Sequence, residues 1–183
     1  MIREMGIMDH IAVHSIRVCQ VALFLTDHLN EKGHHLNRDL IQAAALLHDI
    51  TKTRSFETGE NHAETAQVLI GDAGFPEVSH IVGQHVRLLK SLVTETLEEA
   101  EIINYSDKRV MHDHIVSLEE RFAYIAGRYA KNDSDRARIA SLTQKTKALE
   151  KRLYQYLPFS PASLKNQLRS EDFTADLKGY FTS

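Results

Sequence analysis

The chain has 183 residues, a formal net charge of −3, 43% hydrophobic residues and 26% charged residues. These values describe one globular domain long enough to bury a sizeable core, and they exclude a general basic surface for gripping phosphate backbones. Only a local basic rim would support an RNA or DNA role, so nucleic acid is disfavoured as a partner. Eight Gly and three Pro are too few for the turns of a β-sandwich or barrel. Cys19 is the single cysteine, which excludes an internal disulfide and argues against a thiolate zinc cluster. In its apolar helical context it reads as a small buried hydrophobe. Charged residues interrupt the N-terminal stretch and no run of eighteen apolar residues occurs, so the expectation is a cytoplasmic protein with no membrane partner.

Helix start and stop signals recur along the chain, while sustained two-residue alternation is missing. The pattern predicts helices over 8–31, 37–50, 61–73, 76–90, 96–111, 117–131, 133–157 and 161–169, with a ninth near 171–180. Asn37 is a capping residue for the second, and Asn61 with Glu64, Thr96 with Glu99 and Ser117 with Glu120 have capping-box spacing. Pro76 and Pro161 suit first helical turns. Gly33, Gly71 and Gly74 suit left-handed C-terminal positions. The segment 131–152 is rich in Lys, Arg, Asp, Ser and Thr. It reads either as a phosphate- or partner-binding helix or as a solvated outer helix with charge pairs, and the second reading is preferred. Tyr154, Tyr156, Leu157 and Phe159 form an apolar cluster that would dock the C-terminal helices or serve a homodimer contact.

Certain polar residues fall on otherwise apolar helix faces. His14 lies in a stripe with Ile11, Val18, Val21 and Leu25. His48 and Asp49 end the almost wholly apolar stretch Leu40–Ile50. His62 shares a face with Ala66 and Leu69, His85 with Val78, Ile81 and Leu89, and Asp107 with Leu97, Ala100, Ile103 and Val110. A lone His on an apolar face is usually a satisfied core residue. Four His and two Asp on such faces, with no basic side chain among them, are more simply explained by divalent cations, because a buried carboxylate costs several kcal/mol unless paired or bound to metal.

His14 in Val-His-Ser, His48-Asp49 in Leu-Leu-His-Asp-Ile-Thr-Lys and Asp107 in Tyr-Ser-Asp-Lys-Arg-Val resemble the H…HD…D signature of the HD phosphohydrolase superfamily. His62 in Asn-His-Ala-Glu and His85 in Gly-Gln-His-Val-Arg are similar to the longer pattern of its dinuclear members. The order and spacing look closest to the small bacterial members that include the symmetrical diadenosine tetraphosphatases. The resemblance covers residues 8 to about 111. It implies an HD-type metal-binding core, read over 1–115. With the helical pattern of the rest, the chain reads as all-α, a single HD-type helical domain whose C-terminal helices over 116–183 pack on the core through their apolar cluster. The resemblance also implies that His14, His48, Asp49 and Asp107 hold one metal, and that Asp49 bridges to a second on His62 and His85.

Mixed imidazole and carboxylate ligands suit Fe, Mn, Zn, Co or Ni, one or two ions per chain. Water bridging two such ions is deprotonated near neutral pH and becomes a nucleophile toward a phosphoester or phosphoanhydride bond. The implied substrate is a nucleotide or related small phosphorylated metabolite. Asp49 and Lys52 are the catalytic candidates, and Lys52, Arg87 and Lys108 the phosphate-binding ones. Arg54 and Arg109 are further candidates for a cationic rim, His10 for the entrance. A mononuclear nucleotidase and a non-catalytic HD ligand-binding or signalling module are the alternatives. The second is disfavoured because no ligand position of the pattern is missing.

Overall fold

The computed structural model describes residues 5–89 and 96–168, and the expected helix near 171–180 lies outside them. The regular elements of the described residues are all helices, apart from one small hairpin. Helix α1 (Asp9–Glu31) packs along α2 (Arg38–Leu47) and α6 (Glu99–Lys108). Helices α3 (Lys52–Thr58), α4 (His62–Asp72) and α5 (Pro76–Val82) follow, and α5 packs against α2 and α4. Beyond α6, strands β1 (Val110–Met111) and β2 (His114–Ile115) pair antiparallel. Then α7 (Leu118–Tyr129) and α8 (Asp133–Tyr154) form a helical hairpin, and a 3₁₀ turn at Pro161–Ser163 leads into α9 (Leu164–Gln167).

The core is where the periodicity places it. Val18, Val21 and Leu25 of α1, Ile41 and Ala45 of α2, and Ile102 and Ile103 of α6 are all fully buried. Each large aliphatic side chain there contributes about 1.5–3 kcal/mol relative to exposure. Cys19 is buried among them, and burial pushes its thiol up to about 12 against a weaker opposing effect of Arg38. Asn37 caps α2 by accepting from the amides of Asp39 and Leu40. Ser117 and Glu120 form the expected capping box of α7. Gly33 and Gly74 have φ of 90° and 89°, the left-handed region that suits a glycine after a helix.

Several boundaries differ from the sequence reading, each for a local reason. Helix α2 stops at Leu47 rather than 50, because the backbone tightens there: Ile50 N–H bonds to Leu47 and Lys52 N–H to Asp49, both at 3.0 Å. Helix α5 stops at Val82 rather than 90, and two further bonds of this shorter kind follow at Gln84 and His85. Asn104 Nδ2 then takes the carbonyls of both residues at 2.9 Å, so the helix cannot use them. Leu89, read as part of a buried stripe, is exposed. Helix α6 starts at Glu99, capped by Glu98 with Glu101 instead of Thr96 with Glu99, and gives way to the β-hairpin instead of running to Met111. Gly71 lies inside α4 and not at a left-handed stop. Residues 52–58, between two of the expected helices, form a helix of their own, α3.

The C-terminal segment is tied to this body by named contacts. The Phe159 ring lies 5.3 Å from Phe24 and 5.2 Å from His28 on α1, and the Tyr156 ring 4.4 Å from His34. Arg109, buried at the end of α6, donates to the carbonyls of Val116 and Pro161 and to Tyr105 Oη, and pairs with Glu150 of α8. Arg109→Met should therefore cost about 2–3 kcal/mol, because Glu150 and Tyr105 would lose their shared partner in a largely buried setting. A denaturant titration checks this, and an unchanged midpoint with unchanged slope would contradict it.

Candidate metal centre

Five side chains, from α1, the turn after α2, α4, the turn after α5, and α6, converge around Asp49. The Asp49 carboxylate is almost completely buried and faces two groups with its two oxygens. On the Oδ2 side, His48 Nε2 lies at 3.4 Å and His14 Nε2 at 3.9 Å. On the Oδ1 side, His62 Nε2 lies at 3.4 Å and His85 Nε2 at 3.6 Å. Asp107 closes the first group, with Oδ1 3.2 Å from His14 Nε2 and 3.9 Å from His48 Nε2. The donor atoms of His14, His48 and Asp49, and those of Asp49, His62 and His85, lie within 4.8 Å of one another.

Backbone carbonyls orient the rings. Nδ1 of His48 donates to Ala45 and Nδ1 of His85 to Val82, each at 2.8 Å, while Nδ1 of His14 donates to His112 at 3.0 Å. With Nδ1 carrying the proton, each Nε2 lone pair points at the carboxylates. A lone pair against a carboxylate oxygen is repulsive unless a proton or a cation lies between them. His62 is partly exposed, yet burial outweighs the opposing pull of Asp49 and, with Lys52 and His48 nearby, lowers it to about 4, while burial also lowers His85. Two neutral imidazoles thus face each other, Nε2 to Nε2, at 3.1 Å. His48 behaves differently: burial opposes its charge, but Asp49 and Asp107 outweigh burial and raise it. A proton therefore resides more readily on His48 than on His62 or His85.

Among the described residues, His48 Nε2 and Asp49 Oδ1 are buried side-chain atoms with no hydrogen-bond partner. His48 Nε2 approaches Asp49 closely but without hydrogen-bond geometry. Buried polar atoms are rarely left in this state, and a cation on each side of Asp49 would satisfy both. The residues present therefore fit divalent metal, on donor chemistry and on orphaned atoms alike.

The surroundings hold the constellation in place. Burial alone would raise Asp49, but the nearby charges of His48 and Lys52 hold it well below the usual carboxylate range. Lys52 Nζ lies 2.6 Å from Asp49 Oδ2. For Asp107, Lys108, His14 and Arg121 likewise outweigh burial. The Lys108 amine is buried and bonded to Asp107 Oδ2 at 3.1 Å and to the His85 carbonyl, although its side chain borders the cavity. A phosphate contact would require it to release those partners. Thr51 Oγ1 donates to the His62 carbonyl at 2.7 Å, fixing the first turn of α4.

A cavity of about 780 Å³ opens over this cluster, bordered also by Lys52, Arg87 and His10. Arg54 instead pairs with Glu60 at 2.7 Å, and Arg109 faces the C-terminal segment. Sequence reasoning missed Arg121, which points from α7 to Asp107 Oδ1 at 3.5 Å. It also missed the His112 carbonyl, presented by a hairpin residue with φ of 57°, a position unusual for a non-glycine residue and common at functional sites. Only the i, i+3, i+7 recurrence of Arg121, Tyr124 and Arg128 hinted that α7 faces the site.

The HD domain family matches residues 11–147, about three quarters of the chain. The chain belongs to the HD domain family. The match runs through the His/Asp cluster and into α8, further than the motif resemblance alone extends. HD domains bind divalent metals and in general carry metal-dependent phosphohydrolase activity, and the His/Asp cluster here fits such a site. No curated protein and no solved structure gives a significant match to the chain. Among the described residues, no helix is long and apolar enough to cross a membrane.

If cations satisfy the HD cluster, manganese or zinc at about a hundred times its Kd should raise the thermal midpoint by about 5–10 °C, and chelator should reverse the rise. Scanning calorimetry checks this. A midpoint insensitive to both additions would contradict the fit.

Proposed function

We propose that this HD domain hydrolyses a phosphoester or phosphoanhydride bond in a nucleotide or related small phosphorylated metabolite, with His14, His48, Asp49 and Asp107 holding one metal and Asp49, His62 and His85 a second. The observation that carries this reading is the position of Asp49, buried between two pairs of imidazole nitrogens with an oxygen toward each. Such metals, when bound, supply Lewis acidity: they lower the pKa of water and offset charge on the phosphoryl oxygens. The resemblance of the motif to the small dinuclear members makes a dinucleoside polyphosphate one candidate substrate.

The chain's own groups have the following roles in this reading. Asp49 holds the two metal positions at a fixed separation. Lys52, tethered to Asp49 and partly exposed at the cavity, releases the carboxylate and takes a phosphate oxygen as a point charge. Arg87, exposed on the cavity border, meets a more distant phosphate oxygen. Lys108 and Arg121 hold Asp107 ionised and oriented as a ligand. The segment beyond Ile115 packs on the core and serves as the outer wall of the substrate cavity. A single metal on His14, His48, Asp49 and Asp107, with His62 handling protons, is the second reading, favoured by the partial exposure of His62 at the cavity.

Phosphate release from a nucleotide panel, with added manganese, iron, cobalt, nickel or zinc, tests the proposal. Asp49→Asn should lower kcat/KM by a factor of about 100 or more. Lys52→Met should lower it about 10–100-fold while metal content stays at the wild-type level. Turnover that survives Asp49→Asn would overturn the assignment, and metal loss in Lys52→Met would overturn the phosphate role of Lys52.

A further inference from the structure

The cavity does not end at the cluster but continues along the hairpin of α7 and α8. Its size is within the range of sites that enclose a drug-sized molecule, more than a bare phosphoryl group needs. The Lys147–Glu119 ion pair at 2.7 Å marks the register of the hairpin. Stepping toward the connection from that pair places Arg121 opposite Lys145, Tyr124 opposite Leu142, and Arg128 opposite Arg138. All six border the cavity.

The wall therefore has two cationic rungs with an aromatic and aliphatic rung between them. The inner rung is anchored at the cluster, because Arg121 reaches Asp107. The outer rung lies seven residues further along α7, about 10 Å at the helical rise of 1.5 Å per residue. Tyr124 packs its ring 5.7 Å from His112, and Arg128 lies over the Tyr129 ring at 5.9 Å and donates to Tyr124 Oη at 3.3 Å. Among the described residues Arg138 has one partner, Asp135 of its own helix at 3.1 Å, in an exposed pair of small worth. Lys145 has no hydrogen-bond or ion-pair partner among the described residues. Five cations with Lys52 on one cavity wall and mouth are more than the two carboxylates of the cluster call for.

We propose that the outer rung, Arg128 with Arg138, is a second anion subsite. The substrate of this HD domain would then carry a second phosphate, set about 10 Å from the reacting one, with a ring system between them against Tyr124, Ile125 and Leu142. The inference rests on the phosphohydrolase reading for the inner phosphate and adds the requirement for the outer one. Planar Arg guanidinium groups favour phosphate over a less highly charged anion. Specificity accordingly resides in the α7–α8 hairpin and not in the metal cluster.

The test compares binding and turnover of fructose 6-phosphate with those of fructose 1,6-bisphosphate, whose two phosphates flank a ring at about the required span, on the manganese-loaded full chain, by calorimetry and phosphate release. The wild type should bind the bisphosphate at least about 10-fold more tightly. Arg128→Gln/Arg138→Gln should remove that advantage and leave the monophosphate affinity within about twofold. Arg136→Gln, an exposed α8 change outside the cavity, should leave both ligands unchanged and controls for net charge. Equal affinities in the wild type, or equal losses for both ligands in the double variant, would overturn the subsite. A bisphosphate preference that depends on Arg128 and Arg138, without phosphate release from either ligand, would support the subsite and count against the hydrolytic reading alone.

Discussion

A carboxylate with almost no solvent exposure is the constraint around which this molecule is organised. Asp49 can be ionised in the interior only because imidazoles, Lys52 and the expected cations surround it. Satisfying it requires side chains from α1, α4, α5's trailing turn and α6, so the packing of those helices and the chemistry of the centre are one problem. The departures from regular helix reflect this. The chain leaves α-helical geometry just before His48 and again just before His85, and each break lets the ring's Nδ1 hold a backbone carbonyl while Nε2 turns toward Asp49.

The two sides of Asp49 are not equivalent. His48 gains a proton readily because two carboxylates face it, whereas His62 and His85 stay neutral. On the Oδ1 side, the Nε2 atoms of His62 and His85 lie 3.1 Å apart, close enough to face one cation together with Asp49. Lys108, Arg121 and Asn104 form a further shell that keeps Asp107 and the His85 turn in place. Their cationic members explain how two carboxylates remain ionised where burial alone would neutralise them.

Much of this was legible in the sequence because it follows from periodicity and from residue chemistry. The all-helical fold, the caps at Asn37 and Ser117, the buried stripes of α1 and α6 and the convergence of four His with two Asp all come from local patterns. The interruptions were not legible, because they are set by distant partners: Asn104 and Lys108 take carbonyls twenty residues upstream, and no local signal marks this. Arg109 shows the same limit. Its neighbourhood suggested a rim of charge, yet Glu150 and Pro161, more than forty residues away, draw it to the other side. The α7–α8 wall was obscured for a different reason, since an amphipathic helix that lines a cavity with cations has the composition of a solvated one.

The central claim, a shared Asp49 between two metal positions, is tested most directly by counting metal. Elemental analysis of protein purified without chelator, and reconstituted anaerobically with iron or manganese, should give about two ions per wild-type chain. His62→Ala should leave about one, and Asp49→Ala close to none. One ion per wild-type chain, unchanged in His62→Ala, would contradict the bridging role, and no bound metal at all would remove the basis of the centre.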